Sequence, residues 1–61
     1  MRVVIAEDQA LLREGMVRLF ADSGHDVVCA AGDADRLRGA VSEHEPDLAV
    51  VDVRMPPTHT D

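Results

Sequence analysis

Three carboxylates stand where apolar runs end. Glu7 and Asp8 follow Arg2-Val3-Val4-Ile5-Ala6, and Asp52 follows Leu48-Ala49-Val50-Val51. Acids brought together without a counter-charge repel one another, and their pKa values rise. A hard divalent cation relieves that repulsion. Mg²⁺ takes few carboxylates, keeps several waters and usually shares its site with phosphate oxygens. Such a site suits phosphoryl transfer onto a carboxylate, with the metal neutralising the charge that builds up and an aspartate as covalent acceptor. Each acid alone has a more ordinary role as a helix cap or a solvated loop residue, and for Asp8 the cap is the simpler reading. The combination is more specific: an acidic pair after the first apolar run, a third acid after the last, and an abrupt stop at Pro56-Pro57.

The acids meet only if the surrounding elements carry them to one place. Residues 2–6 form a short β-branched run, apolar without alternation, as expected of a strand buried on both faces. From Gln9 to Asp22 the period changes. Leu12, Met16, Leu19 and Phe20 fall on one stripe of a helix, with Asp8 or Gln9 as its cap, Glu14 near its first turn and Gly24 as its left-handed terminator. Asp26–Ala31 reads as a second strand. Gly32-Asp33 reads as a turn in which Asp33 caps a weaker helix whose apolar face is Leu37, Ala40 and Val41 and which ends before Pro46. Asp47–Asp52 is the third strand, expected to be buried on both faces, and the tail from Pro56 is polar loop.

The order is βαβαβ, which implies a parallel sheet with covering helices and right-handed crossovers. The strands run either 3-2-1 or 2-1-3. In the 2-1-3 order the first and third strands are neighbours, about 4.8 Å apart. Glu7, Asp8 and Asp52 then crowd one edge, at the switch point where open α/β sheets bind ligands. In the 3-2-1 order Asp52 lies two strands away and no cluster forms. The carboxylates therefore favour 2-1-3.

The totals narrow the function classes. Twelve Asp and Glu oppose six Arg and no Lys, for a net charge of −6 in 61 residues. That balance argues against gripping nucleic acid or an anionic membrane directly, and a single aromatic, Phe20, leaves little for base stacking. One cysteine, Cys29, cannot form an internal disulfide and reads as a small hydrophobe in a strand. A free thiol with no signal peptide suggests a reducing, cytoplasmic setting. No apolar stretch is long enough to span a bilayer.

Two rival chemistries fit poorly. A haloacid-dehalogenase-type phosphatase wants a second Asp two positions after its nucleophile, where this chain has Arg54, and usually places the nucleophile after the first strand. A dinucleotide fold wants G-x-G-x-x-G after strand 1, where the residues are Glu7-Asp8-Gln9-Ala10-Leu11-Leu12.

The stretches "VVIAEDQALLREGMVRLF" and "PDLAVVDVRMPP" together resemble the receiver domain of two-component response regulators. The second follows that family's phospho-acceptor pattern at Pro46, Asp47, Asp52, Met55 and Pro56. The wording "EDQALLREG" and "DVRMPPTHTD" further resembles the LuxR/NarL subfamily of transcriptional regulators. The resemblance implies a flavodoxin-like (CheY-like) three-layer sandwich with strand order 2-1-3-4-5, here reduced to βαβαβ in the order 2-1-3, so that residues 1–61 are the N-terminal half of one receiver domain. It implies that Asp52 is phosphorylated by a sensor histidine kinase with Mg²⁺, that Asp8 ligates the metal directly and Glu7 mostly through water, and that the Arg54 backbone carbonyl is a further ligand. Met55 and Pro56 shape the loop beyond the acceptor. The module would not be an enzyme in its own right, would sit in the cytoplasm, and would reach DNA only through a C-terminal output domain.

Receivers of this family run to roughly twice this length. They use a hydroxyl residue after strand 4 and a lysine after strand 5, neither of which these 61 residues supply; Thr58, His59 and Thr60 read as loop rather than substitutes. Strand 3 would present an open edge, which invites a homodimer or a domain swap. The alternative reading is a structural or protein-binding receiver fragment without phosphorylation competence.

Overall fold

A computed structural model of the chain describes residues 1–52. Its elements are β1 (Arg2–Ala6), α1 (Ala10–Asp22), β2 (Asp26–Ala31), α2 (Ala34–His44) and β3 (Leu48–Val51). The three strands are all parallel and lie in the order β2-β1-β3. This is the 2-1-3 arrangement, the opening part of a CheY-like flavodoxin fold. α1 carries the chain from β1 out to β2, and α2 carries it back across β1 to β3. With the right-handed connections that such units take, crossovers in opposite directions put the helices on opposite faces of the sheet.

β1 is the centre of the molecule. Val3, Val4, Ile5 and Ala6 are 0% exposed, because β1 pairs on both edges and both helices pack over it. A continuous apolar run is what such a position demands. Val3, Val4, Ile5 and Ala6 pair with Leu48, Ala49, Val50 and Val51 in unbroken register. On the other side the pairing steps from Val3–Val27 to Val4–Cys29, so β2 carries one extra residue at Val28. The start of the β1–β3 seam is tied by Arg2 and Asp47. The Asp47 N–H donates to the Arg2 carbonyl at 2.8 Å, and the Arg2 N–H donates to Asp47 Oδ2 at 2.9 Å.

The helix ends follow their local chemistry. Gly24 closes α1 with φ +90°, its N–H reaching the Ala21 carbonyl and that of His25 reaching Phe20. This pair of bonds is a Schellman closure, and the usual apolar contact across it is the tilted Phe20–His25 ring pair at 5.9 Å. Asp33 caps α2 by accepting from the Arg36 N–H at 2.8 Å. Glu45 ends that helix in the left-handed region (φ 48°), immediately before Pro46.

Two expectations need correction. β3 is not buried on both faces: Leu48 is 40% and Val51 44% exposed. The apolar run reports a preference for strand, not how many neighbours the strand acquires, and β3 is the outer strand here. The α1 stripe is likewise only partly covered. Met16 and Phe20 are half-buried, while Leu12 and Leu19 remain exposed, because among the described residues α1 has a sheet beneath it and no helix beside it.

Candidate functional site

Glu7 and Asp8 are the first residues past β1, and Asp52 is the first past β3. Because the strands are parallel neighbours, both chain ends emerge at the same rim. The ladder continues just far enough to fix two of the three acids: the Glu7 N–H donates to the Ala31 carbonyl at 3.0 Å, and the Asp52 N–H donates to the Ala6 carbonyl at 3.1 Å. One carboxylate oxygen from each of Glu7, Asp8 and Asp52 can be chosen so that all lie within 4.8 Å of one another. Glu7 is buried, Asp52 half-buried and Asp8 exposed. The cluster thus grades from the sheet interior to solvent. An all-oxygen donor set of this kind fits a hard cation such as Mg²⁺.

The turn between β1 and α1 holds Glu7 in place. Gln9 occupies the cap position of α1, but its side chain makes no capping bond and Asp8 does not take that role. Instead the Gln9 N–H donates to Glu7 Oε2 at 3.1 Å. Neither expected side-chain cap forms, which leaves Asp8 in the acid cluster. Glu14 also lies beyond the first turn of α1, which carries no acid.

The electrostatics follow from this packing. The largest single influence on Glu7, the Gln9 N–H, holds its pKa down. Burial, hydrogen bonding to Asp8 and Asp52, and repulsion from the Asp52 charge together outweigh it, so the Glu7 pKa is raised. This is the direction expected of acids crowded without a counter-ion.

The folded turn adds one contributor that the sequence does not disclose. Arg13 Nη1 donates to the Glu7 carbonyl at 2.8 Å. On α1 its side chain runs back toward the helix N-terminus, as long helical side chains do, and so reaches the acidic turn. Nothing in the sequence separates Arg13 from an ordinary solvated helix residue; only the folded turn gives it a partner. A groove of about 460 Å³ also runs along α1 against Ala30 of β2, but none of the three acids lines it. The expected Arg54 carbonyl ligand, along with Met55, Pro56, Pro57, Thr58, His59 and Thr60, lies outside the described residues.

Comparison with known families decides the larger question. The response regulator receiver domain family matches residues 3–59. The chain belongs to that family. Its relatives include the transcriptional regulatory protein PdtaR of Mycobacterium tuberculosis, 40% identical over 55 residues, and the virulence transcriptional regulatory protein PhoP of Salmonella typhimurium, 46% identical over 56. Those matches cover 90% and 92% of this chain but only 27% and 25% of the relatives. A protein-glutamate methylesterase/protein-glutamine glutaminase of Haloarcula marismortui is 40% identical over 55 residues, 15% of its length. The match to it is a match to a receiver segment, a signalling module, and brings no esterase chemistry with it. Among the described residues of this receiver, no helix is long and apolar enough to cross a membrane.

Proposed function

We propose that this receiver accepts a phosphoryl group on Asp52 from a sensor histidine kinase, with Mg²⁺ held at Glu7, Asp8 and Asp52. The observation that carries the reading is the convergence of those three acids, with ligand atoms within 4.8 Å of one another, at the carboxyl ends of adjacent parallel strands. In the reaction an Asp52 carboxylate oxygen attacks the phosphorus of phosphohistidine. An O–P bond forms, the N–P bond breaks, and the imidazole nitrogen keeps the electron pair. Hydrolysis of the acyl phosphate later returns Asp52 to its free form. Mg²⁺, when bound, supplies neutralisation of the phosphoryl oxygens. Asp8, the exposed acid, is suited to direct ligation, and buried Glu7 to action through water; the Arg54 carbonyl completes the proposed set.

The 61 residues read as the N-terminal half of the receiver domain, with the family's hydroxyl and lysine positions supplied by later chain. The names of the relatives support transcriptional regulation through a separate DNA-binding domain, and the wording of residues 7–15 supports the LuxR/NarL subfamily. A cytoplasmic location accords with the free Cys29. Membership of the receiver family favours this reading over a purely structural fragment.

The test uses the full-length protein with acetyl phosphate in the presence of Mg²⁺. Mass spectrometry is expected to find one phosphoryl group on Asp52, absent in Asp52→Asn. Unchanged incorporation in Asp52→Asn would overturn the assignment.

A further inference from the structure

We propose that Arg13 is a positioning residue for the metal-binding acids, acting through the peptide that joins Glu7 to Asp8. This rests on the Mg²⁺ reading above. The argument starts from which acids the sheet already holds. Asp52 is fixed by its N–H to Ala6, and Glu7 by its N–H to Ala31 and by the Gln9 N–H on its carboxylate. Asp8 lies one residue beyond that last ladder bond and is exposed. The carbonyl of Glu7 and the nitrogen of Asp8 belong to one planar unit. Fixing that carbonyl therefore fixes the plane from which the Asp8 side chain departs. Arg13 Nη1 does so at 2.8 Å.

Three features suit Arg13 to the task. Its backbone is anchored by the first bond of α1, Arg13 N–H to the Gln9 carbonyl at 2.8 Å, so the helix fixes where the side chain begins. Its donor meets a neutral carbonyl, so this bond occupies no carboxylate oxygen that a cation would use. Finally, the guanidinium is bracketed by the β2–α2 turn: a Cβ built at Gly32 would lie 3.2 Å from Arg13 Nη1. Gly32 has no positive φ to require glycine, so the space it leaves for Arg13 is the structural consequence of the missing side chain. Arg13 thus links three segments, the acidic turn, the first turn of α1 and the β2–α2 turn, and sets the direction of the one acid the ladder does not reach.

Partners that orient ligands typically contribute a factor of about ten to a hundred in metal affinity. The test is calorimetric titration of Mg²⁺ into full-length wild type, Arg13→Ala, Arg13→Lys and Gly32→Ala, with thermal unfolding of each in EDTA. Arg13→Ala is expected to weaken Mg²⁺ binding about tenfold. Arg13→Lys, which keeps a donor on a long stem but loses the planar fork, is expected to recover part of the loss. Gly32→Ala, which crowds the guanidinium without removing it, is expected to weaken binding by a smaller factor. A merely structural role would lower the melting temperatures in EDTA and leave the Mg²⁺ dissociation constant unchanged, and that result overturns the proposal. Should Arg13→Ala not fold, wild-type affinity in both Arg13→Lys and Gly32→Ala overturns it equally. Absence of Mg²⁺ binding by wild type itself would overturn the metal reading and this proposal together, whereas normal wild-type binding with unaffected variants sinks only the role of Arg13.

Discussion

β1 and β3 both end in an acid at the same rim, yet they reach it from opposite environments. β1 is paired on both edges and sealed from solvent, while β3 is paired on one edge and partly open. The acid after β1, Glu7, is buried with a raised pKa; the acid after β3, Asp52, is half-buried. The difference assigns the two strands different work. β1 supplies a rigid wall and a carboxylate whose charge is costly unless a cation answers it. On the proposed function, β3 supplies the carboxylate that an incoming phosphoryl group would approach.

The largest effects fall on the chemistry itself. Asp52→Asn is expected to eliminate phosphoryl incorporation, read by mass spectrometry. Asp8→Asn is expected to weaken Mg²⁺ binding by more than the roughly ten- to hundredfold that loss of an outer partner causes, read by calorimetry. If Asp8→Asn bound Mg²⁺ like wild type, the joining of the two strand ends into one site would fail.

Next comes packing. In the 61-residue chain, Ile5→Ala is expected to cost about 2–5 kcal/mol, because Ile5 is sealed within the sheet. Val51→Ala at the open edge is expected to cost about 1 kcal/mol or less. Denaturant melts of both variants compare the strands directly, and equal losses would break the contrast between them. A larger cost for Val51→Ala in the full-length protein would show that later chain covers β3.

The smallest expected effect is a pH dependence. A raised Glu7 pKa means that the folded state binds this proton more tightly than the unfolded state does. Its contribution to stability is then fully present below the unfolded value near 4.5 and is lost as pH rises through the raised folded value. Without metal, Glu7→Gln is therefore expected to be more stable than wild type at neutral pH, with the difference shrinking on acidification below that range. Thermal melts in EDTA across pH 4 to 8 check the sign, and a wild type more stable than Glu7→Gln at neutral pH would reverse it.

Much of the frame was legible in the residues. The strand runs, the Asp33 cap and the Gly24 terminator follow from local chemistry, whereas handedness left two strand orders open. The acids even selected the strand order, because only 2-1-3 brings them together. What was not legible depends on neighbours rather than on composition. The exposure of Leu48 and Val51 reflects an outer position that an apolar run cannot announce. The start of α1 has no side-chain cap although Asp8 and Gln9 both stand beside it, because residue type alone does not fix where a side chain points. Arg13 looks like any helix arginine until the turn folds back within its reach.

The central strand is also the earliest of the three in the chain, and this imposes an order of events. Glu7 and Asp8 are made well before Asp52, yet β1 cannot be closed on its second edge until the chain has passed through two helices and returned. Its pairings with β2 and β3 are both distant in sequence, the kind that form slowly because a loop must close first. The proposed cation site has no existence in any intermediate that lacks docked β3. Metal binding by the nascent or refolding chain would accordingly mark the moment at which the sheet is completed, a clock built into the position of one aspartate.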